Sequence, residues 1–265
     1  MGVVAQAQII DPLTGRNSPA PPSGTGSLIG YTPYAVLDNS LGAGLGLVFP
    51  SSASGLSDSF VGTAANTAEQ ALFLSPANTF TTTFAVGERL TVNVAAPTRT
   101  LNSSLTEDFG LAIAAATPIA AGSGNSYNSR TLFDWASISI RPDQQSIRAN
   151  SSISGTLVTS ANVQSGVLTA NVSQLFIDWN SADLFTMGYI DTSSVAHVSE
   201  TILFSGASTI GTDIGFYGDL RVTGQSVGNF SNLAISAIPV PEPTSLAICG
   251  LGGFLGLVGW MRRKK

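Results

Sequence analysis

The amino-acid sequence predicts an all-β protein, in which an antiparallel β-sandwich is followed by a single C-terminal transmembrane helix. Between about residues 31 and 238, short apolar runs are broken about every eight to twelve residues by Gly, Asn, Ser or Asp, a pattern typical of short strands joined by turns. No helical period of persuasive length occurs in this region. It is followed by an uncharged apolar run, residues 244–261, and then by a cluster of cations.

Residue type and alternation place the strands of the sandwich. Leu90, Val92 and Val94 alternate with polar residues, which predicts that they lie on one buried face of a strand. Residues 79–86 are rich in Thr and Phe and predict another strand just before it. Residues 69–74 instead predict one or two helical turns. Further strands are predicted at residues 109–113, 133–140, 156–159, 166–172, 175–179, 195–204, 214–222 and 230–235.

The segments that precede the sandwich have a different composition. Residues 8–30 predict a flexible, exposed arm, because Pro recurs there among Gly, Ser and Asn. The sandwich itself is expected at residues 31–238, and it shows no fixed-period repeat. Ahead of the arm, residues 5–7 (Ala-Gln-Ala) have the small-x-small form of a signal-peptide cleavage site. Our hypothesis is that residues 1–7 are the remnant of a signal peptide whose natural start codon lies upstream.

Composition excludes one class of partner and one source of stability. Charged residues make up only 10% of the chain, against about a quarter in average soluble proteins. Before residue 240, seven Arg and no Lys face fifteen acidic residues, so the concentrated basic footprint that nucleic-acid binding requires is missing. The one cysteine, Cys249, lies within the apolar run. The sandwich therefore has no disulfide, and we expect its stability to come from core burial.

A Gly-x-Ser-x-Gly pattern occurs at Gly224, Ser226 and Gly228. A nucleophile elbow of this form needs a following helix and a histidine later in the chain. The only histidine, His197, comes earlier, and a strand is predicted after Gly228, so the pattern predicts a turn between two strands. His197 alone cannot build a zinc site, and we expect it on a strand face with its ring hydrogen-bonded.

No catalytic residue is predicted. Glycoside cleavage needs two carboxylates about 5–10 Å apart, whereas Glu107 and Asp108 are adjacent and predict a loop. An enzyme is therefore not expected, and no cofactor or metal-ligand set is assigned. One alternative is a structural calcium ion held by loop oxygens near strand ends. The candidate ligands for it are Asp178, Asp183, Asp191, Asp213 and Asp219.

Aromatic side chains raise a second alternative, because a rigid ring on a sheet can stack on a sugar. Trp135, Trp179 and Tyr217 are the candidate ligand-binding residues, and Tyr189 is a further aromatic of the same kind. Each ring has a competing role in the hydrophobic core, which is where such side chains most often lie. The surface expected around them is built from Ser, Thr, Asn and Gln, which suits a wet, saccharide-rich environment.

Three parts follow one another without a spacer in residues 239–265. The first is a box with Pro at alternate positions, which excludes helix and favours an exposed, extended segment. The second, residues 244–261, is about 27 Å long as a helix, just enough to cross a bilayer core. The third is a basic cluster that favours the cytoplasmic side of the membrane. The box is Val240, Pro241, Glu242 and Pro243, and the cluster is Arg262, Arg263, Lys264 and Lys265.

This three-part order resembles the PEP-CTERM sorting signal, in which a Val-Pro-Glu-Pro box precedes a short glycine-rich transmembrane helix and a basic end. The resemblance implies that exosortase, a membrane protease, recognises the box and cuts near it. It also implies an exported precursor that is held transiently in the inner membrane. The main domain would then be released to the cell surface or extracellular matrix, typically in exopolysaccharide-producing bacteria.

Two further segments are similar to the closing strands of concanavalin A-like jelly rolls. Residues 213–221 match the aromatic-rich strand of that family, and residues 227–235 contain Phe-Ser-Asn-Leu-Ala-Ile, which has the form of its final strand. Residues 109–111 are similar to an earlier strand. The resemblance implies a jelly-roll-like sandwich.

The leading interpretation is an exported structural protein of the cell surface or extracellular matrix, associated with exopolysaccharide. The alternative is a lectin-like module that binds carbohydrate at a defined site. A third and less favoured interpretation is an uncharacterised hydrolase.

Overall fold

The computed structural model describes residues 7–14, 31–38, 47–48, 51–53, 55–60, 68–74, 84–95, 99–100, 107–115, 127–128, 134–142, 146–153, 156–159, 164–165, 171–203, 210–220 and 226–239. This part of the chain is built from β-strands and contains no α-helix. The strands are β1 Gln8–Asp11, β2 Tyr31–Asp38, β3 Leu47–Val48, β4 Ser51–Ser52, β5 Gly55–Phe60, β6 Ala68–Leu74, β7 Glu88–Val94, β8 Arg99–Thr100, β9 Glu107–Ala115, β10 Tyr127–Asn128, β11 Trp135–Arg141, β12 Ser146–Ile153, β13 Thr156–Thr159, β14 Gln164–Ser165, β15 Val172–Ser181, β16 Leu184–Asp191, β17 Ala196–Leu203, β18 Ile210–Leu220 and β19 Ser226–Ala237.

The strands form two antiparallel sheets, which confirms the predicted all-β class. The first sheet has the order β17-β16-β15-β7-β19-β5-β3, with β1 and β8 also pairing with β19 and β4 with β5. The second has the order β10-β2-β6-β18-β9-β11-β12-β13, with β14 pairing with β12. β19 is central to the first sheet, because it bonds to β7 and β8 along one edge and to β5 and β1 along the other.

The hydrophobic core lies between the two sheets. Leu90, Val92 and Val94 of β7 are buried together on its inner face, as their alternation predicts. The two sheets meet where Phe109 of β9 packs edge-on against Phe230 of β19, with ring centroids 4.5 Å apart. Contact between large side chains of facing sheets defines a β-sandwich, so this part of the fold prediction is confirmed.

The prediction of a flexible arm at residues 8–30 is wrong for its first residues, because residues 8–11 form strand β1. Ile10 and Leu13 are buried in the core, and burial of such side chains favours an ordered strand over an exposed arm. The Tyr31 hydroxyl donates to Asp11 Oδ2 at 3.2 Å, which joins β1 in the first sheet to β2 in the second. The remainder of the predicted arm, residues 15–30, lies outside the described residues.

Other local predictions also need correction. The short helix expected at residues 69–74 is strand β6, whose pairing with β2 and β18 outweighs a weak local preference for helix. Glu107 and Asp108 begin strand β9 and do not form a loop. Of the strand expected at residues 79–86, the described residues 84–86 are not in a strand and lead into the turn before β7.

Within the described residues, no helix is long and apolar enough to cross a membrane. The transmembrane segment predicted at residues 244–261 lies outside them, as do residues 1–6 of the proposed signal-peptide remnant.

Candidate functional site

The chain leaves the sandwich at a fixed point just before the Pro-Glu-Pro box. Strand β19 ends at Ala237, and the Ile238 backbone N–H donates to the Gly87 carbonyl at 2.9 Å. Gly87 has φ +90°, a conformation that favours glycine, and its own N–H donates to the Trp179 carbonyl at 2.8 Å. The chain is therefore held to the sheet as far as Ile238. The four box residues and the basic cluster Arg262–Lys265 lie outside the described residues.

A second candidate functional site lies on the face of the second sheet that points away from the core. On the adjacent strands β18, β9, β11 and β12, polar side chains alternate with core residues, as Ser137 and Ser139 do with Ile138. We call this set the polar band. Its members are buried, except that Arg148 is half-buried: Asp108, Ser137, Ser139, Arg141, Arg148, Asn150, Ser152 and Asp219.

The charged end of the polar band is centred on Asp108. Its Oδ2 accepts a hydrogen bond from Arg148 Nη1 at 2.8 Å, and its Oδ1 lies 2.8 Å from Arg141 Nε. The geometry of the Arg141 contact is that of an ion pair rather than of a hydrogen bond. Asp219 is the direct partner of Asp108 across β18 and β9. These side chains form one buried cluster of two carboxylates and two guanidinium groups.

Burial raises the pKa of Asp108 from 3.8 to about 7. The two guanidinium groups oppose this shift, and the neighbouring Asp219 carboxylate adds to it. The raised pKa is compatible with the short ion pairs, because the free-energy cost of removing the Asp108 carboxylate from water exceeds the stabilisation that its two guanidinium partners provide.

The uncharged end of the polar band contains four buried polar atoms that find no hydrogen-bond partner among the described residues. They are Ser137 Oγ, Ser139 Oγ, Asn150 Nδ2 and Ser152 Oγ. Ser137 and Asn150 are direct partners across β11 and β12, so these groups lie side by side. A buried polar group without a partner costs about 1–3 kcal/mol. Because all four atoms are buried, the polar band offers no open surface at which a ligand could supply these bonds.

Two of the three predicted sugar-stacking residues are not available as surface platforms. Trp135 and Tyr217 are 1% and 2% exposed, and they stack on each other with ring centroids 5.3 Å apart. Trp179 is half-buried and packs between Phe84 and Phe185 at 5.5 and 5.1 Å. The fully buried pair corrects the expectation, because a ring that stacks on a sugar must present one open face.

His197 lies on β17 with its ring hydrogen-bonded, as predicted. Its Nε2 is 2.9 Å from Asp191 Oδ2, and the ring stacks on Tyr189 at 4.7 Å. The other Asp191 oxygen accepts the backbone N–H groups of Ser193 and Val195 at 2.9 Å each. The His197 hydrogen bond and the Val195 amide hold the pKa of Asp191 below its ordinary value. The carboxylate thus organises the turn between β16 and β17.

The predicted calcium ligands do not converge. Asp178 binds Arg89 through two short bonds of 2.6 and 2.8 Å, Asp191 holds its own turn, and Asp219 lies in the polar band. Within the part of the chain that the structure describes, no group of three or more His, Cys, Asp or Glu side chains could hold a metal ion. A calcium ion remains a prediction that depends on other residues.

The structure also shows where the residues lie that a hydrolase would need, namely a nucleophile and paired carboxylates. Ser226 and Gly228 of the Gly-x-Ser-x-Gly pattern lie within strand β19, and Gly224 lies outside the described residues. Two carboxylates, Asp108 and Asp219, do meet on one sheet face, but both oxygens of Asp108 contact guanidinium groups. We therefore assign no catalytic role to this pair.

Comparison with known proteins identifies the segment that follows the sandwich. The family described as the PEP-CTERM protein-sorting motif matches residues 239–264, which begin two residues after β19 ends. The protein is thus a β-sandwich that carries a sorting motif at its C-terminal side. The motif is the PEP-CTERM signal, as the box and its flanks predict, and it implies an exported, membrane-anchored precursor that is processed by exosortase.

Two of the solved structures that are similar to this chain are a protein of unknown function and a lectin. A functionally unknown protein from Saccharomyces cerevisiae is 12% identical with a TM-score of 0.41, over 64% of this chain and 76% of that one. Lectin UEA-II complexed with galactose is 9% identical with a TM-score of 0.43, over 82% of this chain and 96% of that one. Likeness at this level carries no functional conclusion. A search of curated proteins found no match.

Proposed function

We propose that the protein is a structural component of the cell surface or extracellular matrix, associated with exopolysaccharide and delivered there by its PEP-CTERM signal. The observation that carries this proposal is the match of residues 239–264 to the sorting motif. The sandwich that precedes it is suited to such surroundings, because it has no lysine and no cysteine and few charges of any kind.

The proposed mechanism is a temporary membrane stop followed by cleavage. Residues 244–261 would cross the inner membrane, and Arg262–Lys265 would stay in the cytoplasm. Because the box begins three residues after Ala237, it would then lie just outside the membrane, where a membrane protease can reach it. Cleavage near the box would release the sandwich from its anchor.

Replacing Glu242 by Ala tests this mechanism. The variant loses the only charge of the box, so we expect the uncut precursor to accumulate in the inner membrane of the native host. Immunoblots of membrane, surface and exopolysaccharide fractions measure the change. Glu200→Ala, on strand β17, is the matched control and should be processed normally. Unchanged release of the Glu242 variant would contradict the proposal.

A further inference from the structure

Both ends of the described sandwich meet at one side of the first sheet. Strand β1 runs antiparallel to β19, and its first residue, Gln8, is paired with Ile235 near the end of β19. The chain therefore enters β1 at the same end of the sheet at which it leaves β19 for the sorting motif.

The same end of the sheet carries two turns. One is the turn at residues 85–87, which is bonded to Ile238 and to the carbonyl of Trp179. The other is the hairpin turn between β15 and β16, where Ser181 and Ala182 are exposed. Val86 is 53% exposed at the tip of the first turn. We call this surface, formed by residues 85–87, 181–182 and 238, the exit pole.

The far pole of the same sheet is the turn at residues 192–194, between β16 and β17. The Thr192 N–H donates to the Asn171 carbonyl just before β15, which places this turn at the opposite end of the β15–β16 hairpin. Strand β16 has 8 residues, so at about 3.4 Å per residue it separates the two poles by roughly 27 Å.

The tether between the exit pole and the proposed membrane span is short. Five residues lie between Ile238 and Thr244, where the apolar run begins, so six residue-to-residue steps join the two. Even fully extended, at about 3.3–3.6 Å per step, these six steps reach only about 20 Å. The headgroup layer itself occupies about 5–8 Å on each side of the bilayer core. The sandwich therefore has no room to turn its far pole toward the bilayer.

We infer that the exit pole of the uncut precursor rests on the outer surface of the inner membrane, at the lipid headgroups, while the far pole points away from it. The inference rests on the membrane-anchored precursor of the proposed function. The tether, and not charge, holds the exit pole at the lipid headgroups. No lysine precedes the sorting motif, and Arg89, beside the exit pole, is bound to Asp178. The Val86 side chain supplies an apolar contact at the pole.

Cysteine labelling tests this orientation on the full chain. Because Cys249 is the one native cysteine, a Cys249→Ser background gives single-label variants Val86→Cys and Ala182→Cys at the exit pole and Ser193→Cys at the far pole. All three sites are exposed, so the fold should tolerate each change. The labelled chain is reconstituted into phosphatidylcholine vesicles that contain a lipid with a short-range quencher on its headgroup.

We expect the labels at positions 86 and 182 to be quenched and the label at 193 to keep its fluorescence, at low and high salt alike. A flexible ten-residue Gly-Ser insertion after Pro239 should remove the difference by lengthening the tether. Equal quenching at both poles of a chain that floats with the vesicles would overturn the orientation alone. A chain that does not float with the vesicles would overturn the membrane-anchored precursor, and the inference with it.

Discussion

Replacing Asp108 by Asn tests whether burial or the two guanidinium groups decide the charge of this carboxyl. Below pH 4 the carboxyl is protonated in both the folded and the unfolded chain. Between pH 4 and 7 the folded chain still holds the proton that the unfolded chain has lost, because the folded pKa is raised to about 7. In that window the free energy of unfolding falls as the pH rises, by about 1.4 kcal/mol per pH unit, and above it the fall stops.

The rise of the Asp108 pKa from 3.8 to about 7 corresponds to about 4 kcal/mol of stability that is present at pH 4 and lost by pH 8. The amide of the Asp108→Asn variant cannot titrate, so the difference in unfolding free energy between wild type and variant should fall by this order across the window. Urea unfolding followed by tryptophan fluorescence at each pH measures that difference, and other titrating groups cancel in it.

Ser137→Ala is the matched control, because it removes a neighbouring polar group of the same band that does not titrate. Its effect should be the same at every pH. If the wild-type advantage over Asp108→Asn is constant or grows as the pH rises, the carboxylate is stabilised by its guanidinium partners and the argument from burial is refuted.

Three further substitutions test other parts of the sandwich. Gly188→Ala places a methyl group 2.7 Å from the Phe176 ring and against the backbone of β17, so it should lower the free energy of unfolding in urea by about 1–3 kcal/mol. Arg89→Ala removes the two-bond ion pair with Asp178 and should cost about 3–5 kcal/mol in the same assay, whereas a loss below about 1 kcal/mol would show that the pair is merely a surface contact. Asp191→Asn should destabilise the protein above pH 4, because the folded pKa of the wild-type carboxylate lies below its ordinary value. In thermal melts the difference between variant and wild type should disappear at lower pH, where the wild-type carboxylate becomes protonated.

The sorting motif and the inner faces of several strands could be predicted from the sequence because their signals are local. Three alternating apolar residues are enough to predict the buried face of β7, and the segments at 214–222 and 230–235 correspond to β18 and β19. Strand β12 is absent from the sequence prediction, since its outward residues are Ser, Arg and Asn and resemble a loop. Strand β11, by contrast, was predicted, because Ser137 and Ser139 alternate with Ile138 and Ile140.

The polar band could not be predicted for a different reason. Asp108 and Asp219 are separated by more than a hundred positions in the chain and become partners only through the pairing of β9 with β18. Trp135 and Tyr217 come together in the same way, and their mutual stacking turns two predicted surface rings into interior ones. Contacts of this kind depend on strand order, which residue types alone do not specify.

The central position of β19 has a consequence for the order of folding during export. Strands β7, β5 and β1 all pair with β19, the last strand before the sorting motif. The central strand of the first sheet is therefore missing until residues 226–237 have crossed the membrane. Pairing of β1 with β19 joins residues more than two hundred positions apart, and such non-local pairing is slow. The chain thus completes its fold only once the motif itself has reached the membrane. A halt there would give the slowest step time to finish before the protein is released.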